Sequence, residues 1–390
     1  MQSMLFHYII FHYTLIKEKV DIIICGGGCS SMLLLFNLQR YPTFESLKIV
    51  VIEKELQHQQ KTWCFWHKGN HPLQHLITSS WQNIHFATAN FNTTQAIDPY
   101  TYSSIKGEDF YHYFLNEFIP QFSNITIIRD EVLSIEKTTT HLSKVICKNH
   151  DYISSTVYSS IIEKEFHEAP IFLWQHFKGW HIKTAENIFD QNTMTIMDFS
   201  NCLPNSFDFV YILPYSNNEA LIEVTAFSTE IWNDSVYFKQ LNQYISNKLN
   251  GAKYQIESME EGKIPMAYYN HTALGKAGEI LIGSAAGKIK ASSGYGFEKM
   301  QIDAERLASN YFANKSSKNL GPKRFKFYDK LLLKIILENP AEAVSIFGKL
   351  FKKTPIPMIL KFLYEETTLY EEASIFKKLP AIPFLKQIFK

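Results

Sequence analysis

The first regular pattern in the chain is an apolar run, a glycine turn and a helical stretch. The run "VDIIIC" leads into "GGG" and then "CSSMLLLFNLQRY", after which "KIVVIE" forms a second apolar run that ends at Glu53. Two short apolar runs joined by a helix are typical of parallel strands that are buried on both faces. The pattern therefore predicts a βαβ unit.

The middle of the chain changes to strand-like alternation. Residues 81–102 mix aromatic residues with Thr and Asn, and "TMTIMDF", "FDFVYILPY" and "EALIEVTAF" alternate or run apolar within residues 170–270. These patterns predict antiparallel strands, whereas "TWCFWHK" is predicted to be an extended loop. Phe110, Phe114 and Phe118 recur at helical spacing and predict a helix.

The order of apolar run, turn and helical stretch that begins the chain occurs again near its end. "ILIGSAAGKIKASSGYGFEKMQ" is again an apolar run, a turn of small residues and a helical stretch. From Lys323 onward the pattern is mostly helical, and five prolines between Pro340 and Pro383 interrupt it. We therefore expect nucleotide-type βα units on either side of a β-rich insertion, followed by a helical tail.

Composition and charge add two expectations. The chain has 390 residues, 46% hydrophobic and 20% charged, which is typical of a globular protein with more than one structural region. Aromatic residues make up 15%, which fits either an apolar cavity or an aromatic-rich core.

Charge is unevenly distributed along the chain. Residues 311–390 hold 15 Lys and Arg against 7 Asp and Glu, a balance of +8, and the remaining residues hold 24 against 31, a balance of −7. A basic tail that is rich in Leu, Ile and Phe favours contact with an anionic membrane surface over nucleic acid.

The cysteines and the first residues bear on the location of the protein. Five cysteines without a C-x-x-C pair indicate reduced thiols in the cytoplasm and no metal site. Residues 1–19 are apolar but interrupted by His and Thr, too short for a bilayer span, and without the features of a signal peptide. We interpret them as an N-terminal extension.

The glycine turn resembles the dinucleotide fingerprint G-x-G-x-x-G, with Ser31 in place of the third glycine. In that motif the first glycine makes the tight turn, the second lets the backbone approach a pyrophosphate, and the helix N-terminus faces the anion. The third glycine serves close packing, which a small serine also permits. Glu53, at the end of the second strand, can hold a ribose hydroxyl. The predicted contacts in this half are Gly26, Gly27, Gly28, Cys29, Ser30, Ser31 and Glu53.

The small-residue turn near the end of the chain, the late turn, indicates which dinucleotide the protein binds. Glu53 favours NAD or FAD over NADP, whose extra phosphate it would repel. A second strand–turn–helix late in the chain is typical of two-domain flavoproteins and favours FAD. Many such proteins have Asp where this chain has Ser284, and a serine hydroxyl can still hydrogen-bond. The predicted contacts in this half are Gly283, Ser284, Gly287, Gly294 and Tyr295.

The predicted fold class is thus α/β (α+β overall), a Rossmann-like FAD-binding domain with an inserted antiparallel domain and a helical C-terminal region. The expected boundaries are 1–19 for the extension, 20–75, 103–165 and 272–325 for the FAD-binding domain, 76–102 and 166–271 for the substrate-binding β domain, and 326–390 for the helical, membrane-facing region.

Several stretches, in order, resemble the flavoprotein lycopene β-cyclases of bacteria, which are related to the plant and cyanobacterial lycopene cyclases. They include "DIIICGGGCSSMLL", "KTWCFWHKG", "FVYILPYSNNEALIEVTAF", "EGKIPM" and "GSAAGKIKASSGYGFEKM". The glycine motif is generic, whereas "LPYSNNEALIEVT" and "KASSGYGF" together are specific. The resemblance covers nearly all of the chain from Val20 onward.

The resemblance implies a carotenoid substrate and an isomerisation. A proton adds to the terminal double bond of a linear ψ end of lycopene, the ring closes through a carbocation, and loss of a proton leaves a β ring. It also implies reduced FAD, with NAD(P)H as reductant and no net redox change. A cation in an apolar cavity requires negative charge and aromatic faces close by. The long hydrocarbon substrate implies a cytoplasmic protein that binds peripherally to the membrane.

Glu223 in "LIEVT" is the first candidate for the acid. It is a charged residue on an apolar strand, and burial would keep its carboxyl protonated, as protonation of an alkene requires. The alternative is a strand residue that faces solvent. The resemblance assigns this position to a Phe-Leu-Glu-Glu-Thr-like motif, in which the second acidic position is Val224 here. Asp198 in "TIMDF" is the second candidate, as a partner carboxylate or as a structural hydrogen-bonding group.

Other positions have weaker indications. Trp63, Phe65 and Trp66 are predicted to line a substrate or flavin pocket, or else to fill a loop. Glu365 and Glu366 are expected to be solvated. Two other functions remain open, namely an FAD-dependent monooxygenase or reductase acting on a hydrophobic isoprenoid substrate, and a non-catalytic flavoprotein.

Overall fold

The computed structural model describes residues 20–55, 61–138, 142–162, 166–317 and 321–389. The predicted extension at residues 1–19 lies outside the described residues. In chain order the strands are β1 (Val20–Cys25), β2 (Ile49–Glu53), β3 (Thr62–Lys68), β4 (Ser79–Trp81), β5 (Asn83–Thr88), β6 (Phe91–Ala96), β7 (Tyr100–Lys106), β8 (Ile125–Arg129), β9 (Val132–Lys137), β10 (Ser143–Cys147), β11 (Asp151–Ser159), β12 (Phe172–Thr184), β13 (Thr193–Asp198), β14 (Asp208–Pro214), β15 (Glu219–Ser228), β16 (Tyr254–Ala267) and β17 (Ile280–Leu281). The helices are α1 (Cys29–Leu38), α2 (Gly107–His112), α3 (Asp234–Leu249), α4 (Phe297–Phe312), α5 (Lys323–Glu338), α6 (Pro340–Lys353), α7 (Ile356–Leu363), α8 (Leu369–Phe376) and α9 (Ala381–Ile388).

The first sheet contains the predicted βαβ unit. Its strand order is β8-β2-β1-β11-β10-β9, with β17 beside the end of β11. The pairs β8/β2, β2/β1, β1/β11 and β11/β17 are parallel, whereas β9, β10 and β11 form an antiparallel meander. Since β1 and β17 both run parallel to β11, the glycine turn after β1 and the small-residue turn after β17 leave the same edge of the sheet.

The second sheet is the β-rich insertion, with strand order β16-β12-β15-β14-β13-β5-β6. Its pairs are antiparallel except β13/β5. One face packs against α3, through a cluster that includes Ile222, Val224 and Leu241. The other face packs against α5, α6 and α7, where Phe86 of β5 stacks on Phe351 of α6 at 4.0 Å between ring centroids.

Two elements differ from the expectations. "TWCFWHK" is not a loop but strand β3, which pairs with β7 in a three-stranded sheet of order β3-β7-β4. Its aromatic residues alternate between two cores, which is why it is extended and paired. The region 170–270 was expected to be β-rich, and the helix α3 within it was missed. The pattern Tyr237, Leu241, Tyr244, Ile245, ended by Asn250 in the left-handed conformation, was the signal for that helix.

The C-terminal region is helical, as predicted, and its helices follow the prolines. Pro340 is the first residue of α6, where the Asn339 side chain accepts a hydrogen bond from the Glu342 amide at 3.2 Å. Proline fits the first turn of a helix because its missing N–H has no partner there. The predicted helix with Phe110, Phe114 and Phe118 is also present, as α2 and a π-helical segment Tyr113–Phe118.

Candidate active site

The glycine turn between β1 and α1 has the geometry of a phosphate-binding turn. Gly26 has φ +96°, a conformation that favours glycine. The Ser31 hydroxyl donates to the Gly26 carbonyl at 2.5 Å, and Ser31 is fully buried. The serine in the third position of the fingerprint therefore fits beneath the turn and has its own hydrogen bond satisfied.

The N-terminus of α1 is open to a ligand. A Cβ added at Gly28, the residue before α1, would meet no atom within 4 Å. Glu53 lies beside the turn, and its Oε2 accepts a hydrogen bond from the Gly27 amide at 2.5 Å. Burial raises the pKa of the Cys29 thiol well above its ordinary range, so this first residue of α1 is a neutral thiol. The turn thus offers backbone N–H groups and the positive end of a ten-residue helix to an anion.

The late turn meets the first turn directly. Gly283 has φ +58°, and a Cβ there would lie 3.0 Å from the Cβ of Ser30. Ser284 and Gly287 line the adjoining cleft, together with His271 and Lys299. The structure thus places the two sequence motifs, more than 250 residues apart, side by side.

From this contact the chain continues to the N-terminus of α4, the 16-residue helix that begins at Phe297. Gly294 lies against the Gln175 side chain, whose Oε1 is buried. Neither Gln175 Oε1 nor the buried Ser293 hydroxyl has a hydrogen-bond partner within the described ranges. These free polar atoms fit the polar edge of a flavin ring, just as the glycine turn fits a pyrophosphate.

Tyr295 connects the late motif to the second sheet. The Tyr102 hydroxyl lies 2.8 Å from the Tyr295 hydroxyl and 2.7 Å from the Tyr211 hydroxyl. Burial raises the pKa of Tyr102 and of Tyr211 well above the ordinary value, so both remain neutral. Burial likewise keeps the nearby Cys64 thiol neutral by raising its pKa. The three tyrosines form a continuous hydrogen-bonded row, the tyrosine row, which packs within the hydrophobic core on this face of the second sheet.

Glu223 lies at the end of this row. It is directly opposite Tyr211 in the β14/β15 register, so both side chains are on the same face of the sheet. The carboxyl is 8% exposed, and Thr225 Oγ1 donates to its Oε1 at 2.6 Å. Burial, and then the charge of Glu260, raises the pKa of Glu223 to about 8, against the smaller lowering effect of Thr225. Glu223 is therefore a buried carboxylic acid that can donate a proton at neutral pH.

Asp198 does not lie beside Glu223. It lies on the other face of the sheet, where its carboxylate accepts hydrogen bonds from the Tyr244 hydroxyl of α3 at 2.7 Å and from the Ser200 amide at 2.9 Å. Of the two roles that the sequence suggested for Asp198, the geometry fits the structural hydrogen-bonding group.

The three aromatic residues of β3 divide between two environments. Trp63 and Phe65 face the first sheet and pack on Phe297, at 5.7 Å and 4.6 Å between ring centroids. Trp66 points the other way, stacks on Tyr364 at 4.2 Å and meets Tyr295 edge-on at 4.7 Å. Trp66 therefore packs against the tyrosine row, and the other two contact the start of α4.

Sequence reasoning missed two groups at this site. Glu260 of β16 lies near Glu223 and is 8% exposed.

The second group is a cluster of ion pairs around Glu365. Glu365 was expected to be solvated, but it pairs with Lys290 at 3.3 Å and Lys299 at 2.7 Å, which holds the C-terminal region against the late loop. Lys290 itself is 2% exposed and pairs with Asp329 at 2.8 Å. A lysine within the small-residue motif "GKIKASSGYG" was the available signal.

Solved structures with a similar fold are flavoproteins. A geranylgeranyl bacteriochlorophyll reductase-like protein from Thermoplasma acidophilum has a TM-score of 0.56 at 14% identity, with 95% of this chain and 96% of that chain covered. A flavoprotein/dehydrogenase from Cytophaga hutchinsonii has a TM-score of 0.53 at 13% identity, with 89% and 92% covered. A mutant of the halogenase PltM, solved in complex with FAD, has a TM-score of 0.54 at 11% identity, with 89% and 82% covered. The predicted α/β, Rossmann-like fold is thereby confirmed as that of the FAD-dependent flavoproteins.

The family follows from the sequence. The family described as "Lycopene cyclase protein" matches residues 21–388, nearly the whole chain. This chain belongs to the lycopene cyclase family, which confirms the resemblance seen in its motifs. A comparison with curated proteins gave no match. Within the described residues, no helix has the length and apolar character needed to cross a membrane.

Proposed function

We propose that this protein is a lycopene β-cyclase that converts the linear ψ end groups of lycopene to β rings, with reduced FAD and no net redox change. The observation that supports this proposal is Glu223, a buried carboxyl beside the tyrosine row, whose pKa burial raises to about 8. An alkene is a very weak base, so its protonation requires an acid held neutral in an apolar place.

The reaction requires one proton in and one proton out. The Glu223 carboxyl donates its proton to the terminal double bond, the resulting cation closes the ring by forming one carbon–carbon bond, and loss of a ring proton leaves the new double bond. The product is an isomer of the substrate. Trp66, Tyr102 and Tyr295 pack against one another next to Tyr211, and the aromatic faces of such a group stabilise a cation without taking up a proton as a base would.

The residues that would hold FAD are those of the two turns. The α1 N-terminus with Gly26–Gly28 suits the pyrophosphate, Glu53 suits a ribose, and Gly283–Ser284 with the loop at Gly294 suits the flavin half. When bound and reduced, the flavin would supply an electron-rich ring near the cationic centre. NAD(P)H as the reductant is part of this proposal and rests on the family resemblance.

We also propose that the protein reaches its substrate at a membrane surface through α8 and α9. Ile382, Leu385 and Phe389 follow one another at helical spacing and are 67%, 47% and 86% exposed. Lys377, Lys378 and Lys386 in the same segment can contact anionic head groups. Because α5, α6 and α7 are packed on the second sheet, we limit the membrane-facing region to residues 369–389 of the original 326–390.

The function is tested with purified protein, lycopene in liposomes, FAD and NADPH, without oxygen. We expect a cyclised product of unchanged mass, with no stoichiometric use of NADPH. Glu223→Gln should retain flavin, as measured by its absorbance, and lose cyclisation. A product that has gained hydrogen would indicate a reductase instead, and a product that needs oxygen would indicate a monooxygenase. A Glu223→Gln variant with normal turnover would disprove the acid assignment.

The membrane proposal is tested by sedimentation with anionic liposomes. Leu385→Glu should weaken binding, and binding of the unchanged protein should fall as salt rises. Leu133→Glu is the matched control, because Leu133 is 62% exposed on β9, far along the chain from α9. Equal loss in both variants, or no binding at all, would contradict a surface at α8 and α9.

A further inference from the structure

Glu223 and Glu260 face each other across a glycine. In the register of the second sheet, Gly179 of β12 is opposite Glu223 of β15 on one side and opposite Glu260 of β16 on the other. Directly opposed residues share a face, so both carboxyl groups point to the same side. Gly179 has no side chain to separate them, and a Cβ there would lie 3.1 Å from the Glu223 Cβ and 2.9 Å from Leu221 Cδ1.

The two carboxyl groups have different hydrogen bonds. Glu260 accepts from the Thr62 amide at 2.6 Å and from the Thr62 hydroxyl at 2.7 Å, and His181 Nε2 lies 3.6 Å away. An amide N–H can only donate, so the Glu260 oxygen that faces it acts as an acceptor. Within the described residues, Glu223 has the Thr225 hydroxyl as its donor. Burial and then the charge of Glu260 raise the pKa of Glu223 to about 8, so Glu223 is the carboxyl that holds a proton at neutral pH.

Other charged or titratable groups near Glu223 do not replace Glu260. The groups that interact with Glu223 from the neighbouring elements are Cys64, Tyr215 and Tyr295, all of whose pKa values are raised by burial, so they are neutral. His181 stacks on Tyr215 at 5.7 Å, on the side of Glu260.

The motif position next to Glu223 does not supply a second carboxyl either. Val224 points to the opposite face and packs beneath α3. An acid at that position would be separated from Glu223 by the sheet itself, because neighbouring residues of a strand alternate between faces. Asp198 is also on the α3 face. Within the described part of the sheet, Glu260 is the buried carboxyl group that lies across Gly179 on the same face as Glu223.

We infer that Glu260 is a positioning residue of this site, an anchored carboxylate whose charge keeps Glu223 in its acid form. The inference deepens the proposed function and rests on it for its catalytic meaning. Glu260 loses no proton and forms no bond in the reaction. Its negative charge also lies close to the place where the cation develops, and a fixed charge there lowers the barrier without rearrangement.

The test follows the protonation of Glu223 directly, by infrared spectroscopy of its carboxyl C=O band. The band is assigned by its loss in Glu223→Gln. In the unchanged protein it should be present at pH 7 and disappear as pH rises through about 8. In Glu260→Gln, which keeps the shape and can still accept from Thr62, the midpoint should fall by about one pH unit, because the like charge is gone.

The matched control is Glu261→Gln. Glu261 is the next residue on β16, its side chain is 69% exposed, and it pairs with Lys178 on the other face. Its substitution should leave the Glu223 midpoint unchanged. If Glu260→Gln does not fold, Thr62→Val provides a second variant, since it removes one donor to Glu260 and should lower the midpoint in the same direction by a smaller amount.

The outcomes separate the two proposals. A Glu223 midpoint that is equal in the unchanged protein and in Glu260→Gln, or in Thr62→Val where that variant is needed, would overturn the role of Glu260, whatever the activity. A shifted midpoint in a protein that does not cyclise lycopene would support the carboxylate pair and count against the proposed function. In an active enzyme, the alkaline limb of the rate profile should move with the infrared midpoint, whereas a structural role for Glu260 would change the rate at every pH.

Discussion

Asp198 and Glu223 are carboxyl groups on opposite faces of the second sheet, and both are 8% exposed. Asp198, on the α3 face, accepts from the Tyr244 hydroxyl and from the Ser200 amide. Glu223, on the face toward the flavin-type motif, has Thr225 as its hydrogen-bond donor within the described residues and lies near Glu260, which is buried on the same face.

The difference shows that burial by itself does not indicate a catalytic acid. A buried carboxylate with donors on its oxygens stabilises the ionised form and holds the fold together. A buried carboxyl with one donor and a like charge nearby keeps its proton and can give it away. Asp198 ties α3 to the sheet, whereas the proposed function assigns the transferred proton to Glu223.

The largest contrast should appear in activity when each carboxyl is replaced by its amide. Glu223→Gln should reduce cyclisation by roughly 10²–10⁴-fold, the usual contribution of a general acid. Asp198→Asn should leave the turnover of the folded fraction within a few fold. Product formation under single-turnover conditions, corrected for flavin content, measures both. Equal losses in the two variants would mean that the faces are not functionally distinct.

A new acid on the α3 face should damage the fold and add no function. Val224→Glu restores the family-like pair of acids in sequence, but the side chain enters the apolar layer with Ile222 and Leu241. An unpaired charge there should lower the free energy of unfolding by roughly 3–5 kcal/mol. Urea denaturation measures the loss, and Val224→Ala, which removes packing without adding charge, should cost much less. A Val224→Glu protein of normal stability would show that this face admits water.

The sequence was sufficient for most of the fold. The two turns, the parallel pair, the β-rich insertion and the helical tail follow from apolar periodicity and from glycine and proline positions, which are local signals. A charge within "LIEVT" is conspicuous, so the sequence also singled out Glu223 as a candidate acid, and that role stays a prediction.

The remaining parts depend on contacts between distant segments. Glu260 lies in the polar stretch "SMEEGK", and only the register through Gly179 brings it to Glu223. Glu365 and Lys290 are 75 residues apart, and no local pattern joins them. Asp198, for which the sequence left two roles open, faces α3 because a β-bulge in β13 changes which side its last residue faces.

The stability gained in Glu223→Gln should depend on pH. Folding raises the pKa of Glu223 from 4.5 to about 8, so between these values the native state holds a proton that the unfolded state has lost. Stability from this group therefore falls as pH rises through that range. Glu223→Gln should be more stable than the unchanged protein by about 3 kcal/mol at pH 7 and by little at pH 4. Urea midpoints of the two proteins at several pH values measure the difference, and a gain that does not grow with pH would contradict a protonated Glu223.

The smallest effects should come from removing one hydroxyl on each face. Tyr244→Phe removes a donor from the Asp198 carboxylate and should lower the free energy of unfolding by about 1–3 kcal/mol, because it leaves a buried charge with one bond fewer. Thr225→Val removes the single donor to Glu223, whose pKa that donor lowers, so the midpoint of the Glu223 infrared band should rise. Loss of one hydroxyl therefore lowers the stability of the protein on the α3 face, whereas on the opposite face it raises the pKa of Glu223. Urea denaturation of Tyr244→Phe and infrared titration of Thr225→Val test the pair, and a fall of the midpoint in Thr225→Val would show that the hydroxyl serves the neutral carboxyl instead.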